Sequence, residues 1–362
     1  MEQSPKAFYQ EQITNFKTQR KAVIKKLLLV GMIRLSVFLG TVGLIYLLRE
    51  QLNFAVITGV VGLSLFLFIV SKNTDIKLQK KRLDKLIGLN QLEIRILDRD
   101  VVGLDSGADL VGEEHYYNQD IDLFGQGSIF QFINRTKTAQ GRSELARLLN
   151  SNNIDGVEDK QEAIEELRAI PVWRQNFQTI ASLVQSEVEN AVLLKWLKTY
   201  QAKIPNLFQY LPLIFSILSV GFFVVYGFGY ITLEMLVMWL FVGIGITGVY
   251  FKRISNLYQS ASQMTDTFAQ YARLLNEIEG HDFEAKLLVE QQDNIKTESK
   301  KASAIFLALS KELNSLDQRN NFLFAFIANG FFLWDLRYAY RIEKWINKYQ
   351  PVTENWFKTI SF

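Results

Sequence analysis

Residues 27–70 read "LLLVGMIRLSVFLGTVGLIYLLREQLNFAVITGVVGLSLFLFIV". The run is interrupted once, by "REQ" at 49–51, and carries a single charge in its first half, Arg34. Each half, 27–48 and 52–70, comes close to the ~20 apolar residues that a helix needs to cross the hydrocarbon core. A connection this short makes the two halves a helical hairpin. The pattern returns in "LFQYLPLIFSILSVGFFVVYGF" (207–228) and "ITLEMLVMWLFVGIGITGVYF" (231–251), again joined by a very short turn. The fold class that follows is mainly α: two transmembrane helical hairpins with long helices between and after them.

Lysine and arginine set the orientation. Lys17, Arg20, Lys21, Lys25 and Lys26 precede the first hairpin, and Lys72, Lys77, Lys80, Lys81 and Arg82 follow it. Lys195, Lys198 and Lys203 stand before the second, Lys252 and Arg253 after it, while the two turns carry only Arg49. Both hairpins therefore dip outward, which predicts a multi-pass protein of the inner (cytoplasmic) membrane with both termini and the middle in the cytoplasm. The first span is no cleavable signal peptide, because it begins well inside the chain and another span follows at once. Arg34 and Glu234 are read as membrane-interface residues. Arg34 snorkels and Glu234 sits at the headgroups, in preference to a transport relay through the bilayer.

Composition removes much chemistry. The chain has no cysteine, so thiol nucleophiles, disulfides and thiolate metal sites are excluded. His115 and His281 are its two histidines and lie far apart in sequence. Neither a histidine metal site nor a catalytic triad is expected, and no catalytic, cofactor or metal residue is assigned. A net charge of +3 gives no field to draw in nucleic acid, and no small-molecule substrate is evident.

Between the hairpins, 72–98 reads as a helix leaving the membrane, with Ile76, Leu83, Leu86, Ile87, Ile94 and Leu97 on one stripe. An acidic stretch with Gly103, Gly107 and Gly112 follows as a loop. Then comes "NQDIDLFGQGSIFQFINRTKTAQGRSELARLLN" (118–150). Gly125 and Gly127 permit a tight turn and Ser128 caps the next helix. Ile129, Phe132 and Ile133 have the spacing of a buried face. Thr136 or Thr138 caps a second helix presenting Leu145, Leu148 and Leu149, and Gly141 allows close backbone approach. Downstream, Val157, Ile164, Leu167 and Ile170 share a face that Pro171 ends. "VWRQNFQTIASLVQ" (172–185) forms a further helix, and 254–279 and 283–313 are long amphipathic helices. The apolar start of "NNFLFAFIANGFFLWDLRYAYRIEKWINKYQ" (320–350) is short for a span and reads as a buried helix, which Pro351 stops. Its basic tail, Arg337, Arg341, Lys344 and Lys348, faces headgroups or solvent.

The run from "DIDLFGQGSIFQFINRTKTAQGRSELARLL" through "IDGVEDKQEAIEELRAIPVWRQNF" resembles the core (lever) domain of the MutS family of DNA mismatch repair proteins. Gly127, Ser128, Ile129, Phe130, Asn134, Arg135, Thr136, Thr138, Gly141, Arg142, Leu145 and Leu149 occupy the positions of the family's core motif. Ile154, Gln161, Ala163, Ile164, Glu166 and Leu167 continue the match. The layout as a whole is similar to membrane-associated bacterial MutS-like proteins.

The resemblance implies a domain plan: a basic cytoplasmic N-terminus (1–26), a first hairpin (27–70), a linker helix and first part of the core (71–206), a second hairpin in place of the DNA clamp (207–251), and a long-helix second part (252–362). It also implies a lever that transmits nucleotide-driven motion, a homodimer through lever and ATPase regions, and DNA as the family's ligand. The family's phosphate loop, G-x-x-x-x-G-K-[ST], does not occur in 1–362, nor does its Phe-x-Glu mismatch-reading motif. ATP and Mg²⁺ are therefore expected only for a following ATPase domain, the chain is expected to be a truncated product, and no enzyme activity is expected of it alone. The other reading is a helical membrane scaffold or receptor that uses the lever fold for protein–protein contacts.

Overall fold

The computed structural model describes residues 4–111, 120–151, 154–183, 190–296 and 301–362. Gly112, His115, Asn118, Gln119, Val184 and Gln185 lie outside them. Among the described residues every regular element is helical. In chain order the helices are α1 (Pro5–Leu47), α2 (Leu52–Leu97), α3 (Ile129–Ile133), α4 (Ala139–Leu149), α5 (Val157–Ala169), α6 (Pro171–Leu183) and α7 (Asn190–Thr199). They continue as α8 (Leu211–Gly227), α9 (Leu233–Val249), α10 (Phe251–Ala261), α11 (Thr265–Glu279), α12 (Lys286–Asp293), α13 (Ala302–Asp317), α14 (Phe322–Phe332) and α15 (Trp334–Ser361). They form two compact units: 1–135 with Pro171–Leu183, and Thr136–Ile170 with 184–362.

The first unit is organised by the α1–α2 hairpin. α1 has 43 residues and α2 has 46, so at 1.5 Å per residue each is about 65–70 Å long. Both are long and apolar enough to cross a membrane, and their apolar windows are uncovered by protein. Leu28, Phe38, Val42, Val61, Leu63 and Phe68 all face outward. Within the hairpin the helices touch closely where Gly62 meets Thr41; a Cβ at Gly62 would come 2.3 Å from the threonine side chain. Beyond the apolar part the same two helices continue as a polar stem. Lys6 pairs with Asp98 at 2.6 Å, and Arg20 pairs with Asp84.

α2 then packs on α6. Leu83, Leu86 and Ile87 are buried there as the periodicity predicts, but the stripe drifts: Ile96 is buried while Leu97 is exposed. At its centre Asn90 and Gln175 exchange side-chain amide hydrogen bonds of 2.9 and 3.3 Å.

The second unit is built around α15. Phe306 of α13 sits at the middle of an aromatic cluster, its ring centroid 5.2 Å from Trp356, 5.6 Å from Phe357, 5.6 Å from Phe268 and 5.9 Å from Trp345. This cluster overturns the expectation that Pro351 ends the helix, since α15 runs through it to Ser361 with Trp356 and Phe357 fully buried beyond it. The expected helix 283–313 is in fact α12 and α13, and 254–279 is broken by a 3₁₀ turn at Ser262–Met264.

The second apolar hairpin is shorter than its sequence suggests. α8 and α9 have 17 residues each, about 25 Å against a hydrocarbon core of ~30 Å. The chain before α8 is a 3₁₀ turn at Asn206–Gln209, and α9 turns through 64° into α10–α11. Among the described residues, length and composition therefore mark two helices as able to cross a membrane, or three if α9 with its bent continuation is one span.

α14 is likewise not the buried helix expected. Its last turn, Ala328–Phe331, is covered, whereas Phe322, Leu323, Phe326 and Ile327 are exposed. Between α8, α9 and α14, the buried Ser219 hydroxyl donates to the Phe331 carbonyl at 2.7 Å and accepts from Trp239 Nε1 at 2.8 Å. Trp239 is itself sandwiched between Phe215 and Phe222, each with ring centroids 4.6 Å away.

The loop feeding α8 is tied to α15 by one carboxylate. Glu343, 3% exposed, accepts from Tyr200 Oη at 2.7 Å, Lys203 N at 3.1 Å and Ile204 N at 2.8 Å. Burial, and then the Glu343 carboxylate, push the Tyr200 phenol well above its ordinary range. A phenol whose folded pKa is raised adds stability below the unfolded value, ~10 for tyrosine, and loses it as pH rises beyond that. The chain in detergent should thus lose stability between pH 9 and 11, and Tyr200→Phe should flatten that loss while lowering stability at pH 8 by about 1.5–3 kcal/mol. Chemical denaturation followed by circular dichroism at both pH values measures it; a pH slope that the substitution leaves unchanged would count against the assignment.

Candidate functional site

The first part of the motif, 120–135, carries an organised polar geometry in the first unit, and its local folding follows from its residue types. Gly125 and Gly127 take positive φ of 108° and 76°, a region that costs glycine nothing. Ser128 then caps α3, accepting from Gln131 N at 3.1 Å. α3 is one turn and a half, and it does not bury the face its spacing suggests. Ile129, Phe132 and Ile133 are each more than 40% exposed, and Phe130 and Gln131 are buried instead. A helix of five residues has no stripe to follow; the loop before it decides. Phe130 lies on Gly107, where a Cβ would come 2.7 Å from the ring. Gln131 Nε2 donates to the Leu104 carbonyl at 2.8 Å, and its Oε1 accepts from Gly127 N at 2.7 Å.

Arg135 ends this element. Its guanidinium forks onto Glu93 of α2, Nε to Oε1 at 2.7 Å and Nη2 to Oε2 at 3.2 Å. Nη1 meanwhile donates to the carbonyls of Phe132 at 2.8 Å and Asn134 at 3.2 Å, closing the end of α3. Asn134 adds a bond from Nδ2 to Asp105 at 3.1 Å. Tyr9 of α1 and Arg174 of α6 belong to the same electrostatic neighbourhood. Burial first, and then Glu93, raise the Tyr9 phenol's pKa, against the opposing pull of Arg174 and Arg135. A bidentate arginine of this kind fixes angle as well as distance, so the pair sets the end of α3 against α2. It offers no activated nucleophile.

The rest of the motif belongs to the second unit. Thr138, not Thr136, caps α4 and accepts from Gly141 N at 3.1 Å. Gly141 is buried; a Cβ there would meet Thr138 Oγ1 at 3.0 Å and approach the Ser361 carbonyl of α15. Leu145, Leu148 and Leu149 are half-buried, as is Arg142, and Ala146 is the covered residue of α4.

α5 packs on α12 through Ala163 and Leu167 against Ala285 and Leu288. Of the expected face, Leu167 packs here and Ile170 is half-buried, whereas Val157 and Ile164 are exposed, at 39% and 62%, as is Ile154. Gln161 is exposed too, whereas Glu166 caps α12 with its carboxylate, accepting from Glu284 N at 3.0 Å and Ala285 N at 2.6 Å. That pairing places a negative charge at a helix N-terminus, where it is stabilising.

Arg34 is half-buried on α1, and Glu234 is exposed in the first turn of α9. His281 stacks edge-on with Phe283, ring centroids 4.6 Å apart. Among the described residues no group of three or more His, Asp or Glu side chains could hold a metal. Periodicity overlooked Glu93, Gln131, Gly107 and Glu343 because each is defined by a partner distant in sequence. The available signal was a polar residue at a position whose helical neighbours are buried, as with Glu343 between Ile342 and Trp345. Comparison with protein-family models, with curated proteins and with solved structures finds no match to this chain.

Arg135→Lys keeps the charge but not the fork, and Glu93→Gln keeps the shape but not the charge. Each should destabilise the first unit by about 1–3 kcal/mol, with the double variant falling well short of their sum. Hydrogen exchange across 120–135 would show it, and strictly additive effects would mean that the two side chains act independently.

Proposed function

We propose that this chain is a membrane-anchored MutS-like lever, a helical core tethered to the cytoplasmic face of the inner membrane that transmits motion rather than performing chemistry. One observation carries the reading. Glu93, the partner of the motif's Arg135, lies on the same unbroken helix as the apolar run 52–70. A displacement of the motif is thereby coupled through a rigid element to whatever surrounds that apolar run. The uncovered apolar faces of α1 and α2 support a bilayer as that surrounding, with α8–α9 as a second inserted hairpin in the position of the family's DNA clamp. Transmission is the better role on chemical grounds as well, since the sequence 1–362 holds no phosphate loop and no mismatch-reading motif. The partners proposed are the bilayer and, as in the family, a second copy of the chain; DNA is left outside the role.

The test has two arms. After alkaline carbonate washing, the chain should stay in the membrane pellet. A cysteine introduced by Tyr230→Cys should react with an impermeant maleimide from outside, while one from Glu165→Cys should be protected. The purified chain should neither turn over ATP nor prefer mismatched to matched duplex. Recovery in the carbonate supernatant would defeat the anchoring; ATP turnover that depends on residues of this chain would defeat the lever.

A further inference from the structure

α14 touches the second hairpin at a depth that the helix register fixes. A Cβ on Gly243 of α9 would lie 2.2 Å from the Gly330 carbonyl oxygen, and one on Gly330 would lie 2.5 Å from Leu240. The two helices therefore meet backbone to backbone. Leu240 and Gly243 precede the end of α9 at Val249 by a distance of roughly 9–14 Å along its axis. That end is marked by exposed cations, Lys252 and Arg253, with Lys203 beside them, since Arg253 donates to the Lys203 carbonyl at 2.8 Å. On the outer faces α9 exposes Met238 (69%) and Phe241 (57%), and α14, which starts near the collar where Asn320 meets Tyr258, exposes Leu323 (71%) and Ile327 (52%). The two apolar surfaces are continuous, because the Phe326 ring lies 6.3 Å from that of Phe241. Whatever covers the outer face of α9 must cover α14 as well.

We propose that α14 is seated inside the leaflet on the side of that basic collar, as a third apolar element beside α8 and α9, with lipid acyl chains against Phe322, Leu323, Phe326 and Ile327. The proposal rests on the reading of α8–α9 as a membrane hairpin. Its layering matches the bilayer: cations at the level of anionic headgroups and hydrocarbon side chains beyond them. An 11-residue helix is about 16 Å long, enough for one leaflet and too short for two. Lipid offers no hydrogen bonds, so the ends of such a helix need partners from the protein, and each end has one side-chain partner. Asn321 Oδ1 accepts from Phe324 N at 3.3 Å, and the Phe331 carbonyl accepts from Ser219 at 2.7 Å. Close glycine contacts are also the usual way for helices to associate where burial of apolar surface gives no drive.

The absence of native cysteine makes single labels clean. Leu323→Cys, Met238→Cys and Glu165→Cys, each in the full chain, would carry bimane and be reconstituted in phosphatidylcholine–phosphatidylglycerol vesicles with brominated acyl chains. Labels at 323 and 238 should each lose emission about twofold or more, as positions within the hydrocarbon must, while the label at 165 should respond only to aqueous iodide. Quenching at 238 but not at 323 overturns the seating of α14 and leaves the hairpin standing. If 323 then answers to iodide, the face is open to water; if it answers to neither quencher, protein covers it. Loss of quenching at 238 overturns both readings together.

Discussion

The second unit depends on α15 remaining one helix across Pro351. A proline in a helix interior removes a backbone donor and crowds the preceding turn, at a cost of about 3 kcal/mol. Here the side chains on either side of it are held by the same neighbour. Trp345 before the proline, and Trp356 and Phe357 after it, all pack around Phe306 of α13. Removing one such aromatic from a core typically costs about 3–5 kcal/mol, so the cluster is large enough to hold the helix together where the backbone alone would break it. Much else hangs from that continuity. The Glu343 carboxylate that fastens the approach to α8 lies before the proline, and the Ser361 carbonyl that α4 approaches through Gly141 lies after it.

In the first unit a polar contact plays the corresponding part. The one helix α2 carries both an uncovered apolar run and, near its other end, a carboxylate that receives the Arg135 fork. Neither half of that arrangement is a site in the chemical sense. Together they turn a sequence motif of turns and caps into an elbow with a fixed angle.

What the sequence made legible was whatever depends on near neighbours. Ser128 and Thr138 as caps, positive φ at Gly125 and Gly127, and the break at Pro171 all follow from residues within four positions of one another, and the structure has them. The helical class and the two long apolar helices were legible for the same reason, since composition over a window decides them. Burial by periodicity failed on the short helices. Ile129 and Phe132 in α3 and Ile164 in α5 have the right spacing, yet a helix of fewer than four turns is oriented by what it lands on rather than by its own stripe. For α3 that is the Gly107 loop, and for α5 it is α12. Pro351 failed in the opposite direction, because a local rule was overruled by aromatic packing from α13. The polar anchors, Glu93 with Arg135 and Glu343 with Tyr200, join residues 42 and 143 positions apart, and no local pattern reaches that far.

The polar stem of α1 has an electrostatic consequence. Tyr9, in the neighbourhood of the Arg135–Glu93 pair, precedes the apolar run by a length of helix worth about 27 Å at 1.5 Å per residue. The potential of an anionic bilayer decays over a Debye length of about 8 Å at physiological ionic strength. With the stem upright on the membrane, the elbow stands more than three such lengths away. Under the proposed anchoring, changes in lipid charge would then leave its ion pair untouched.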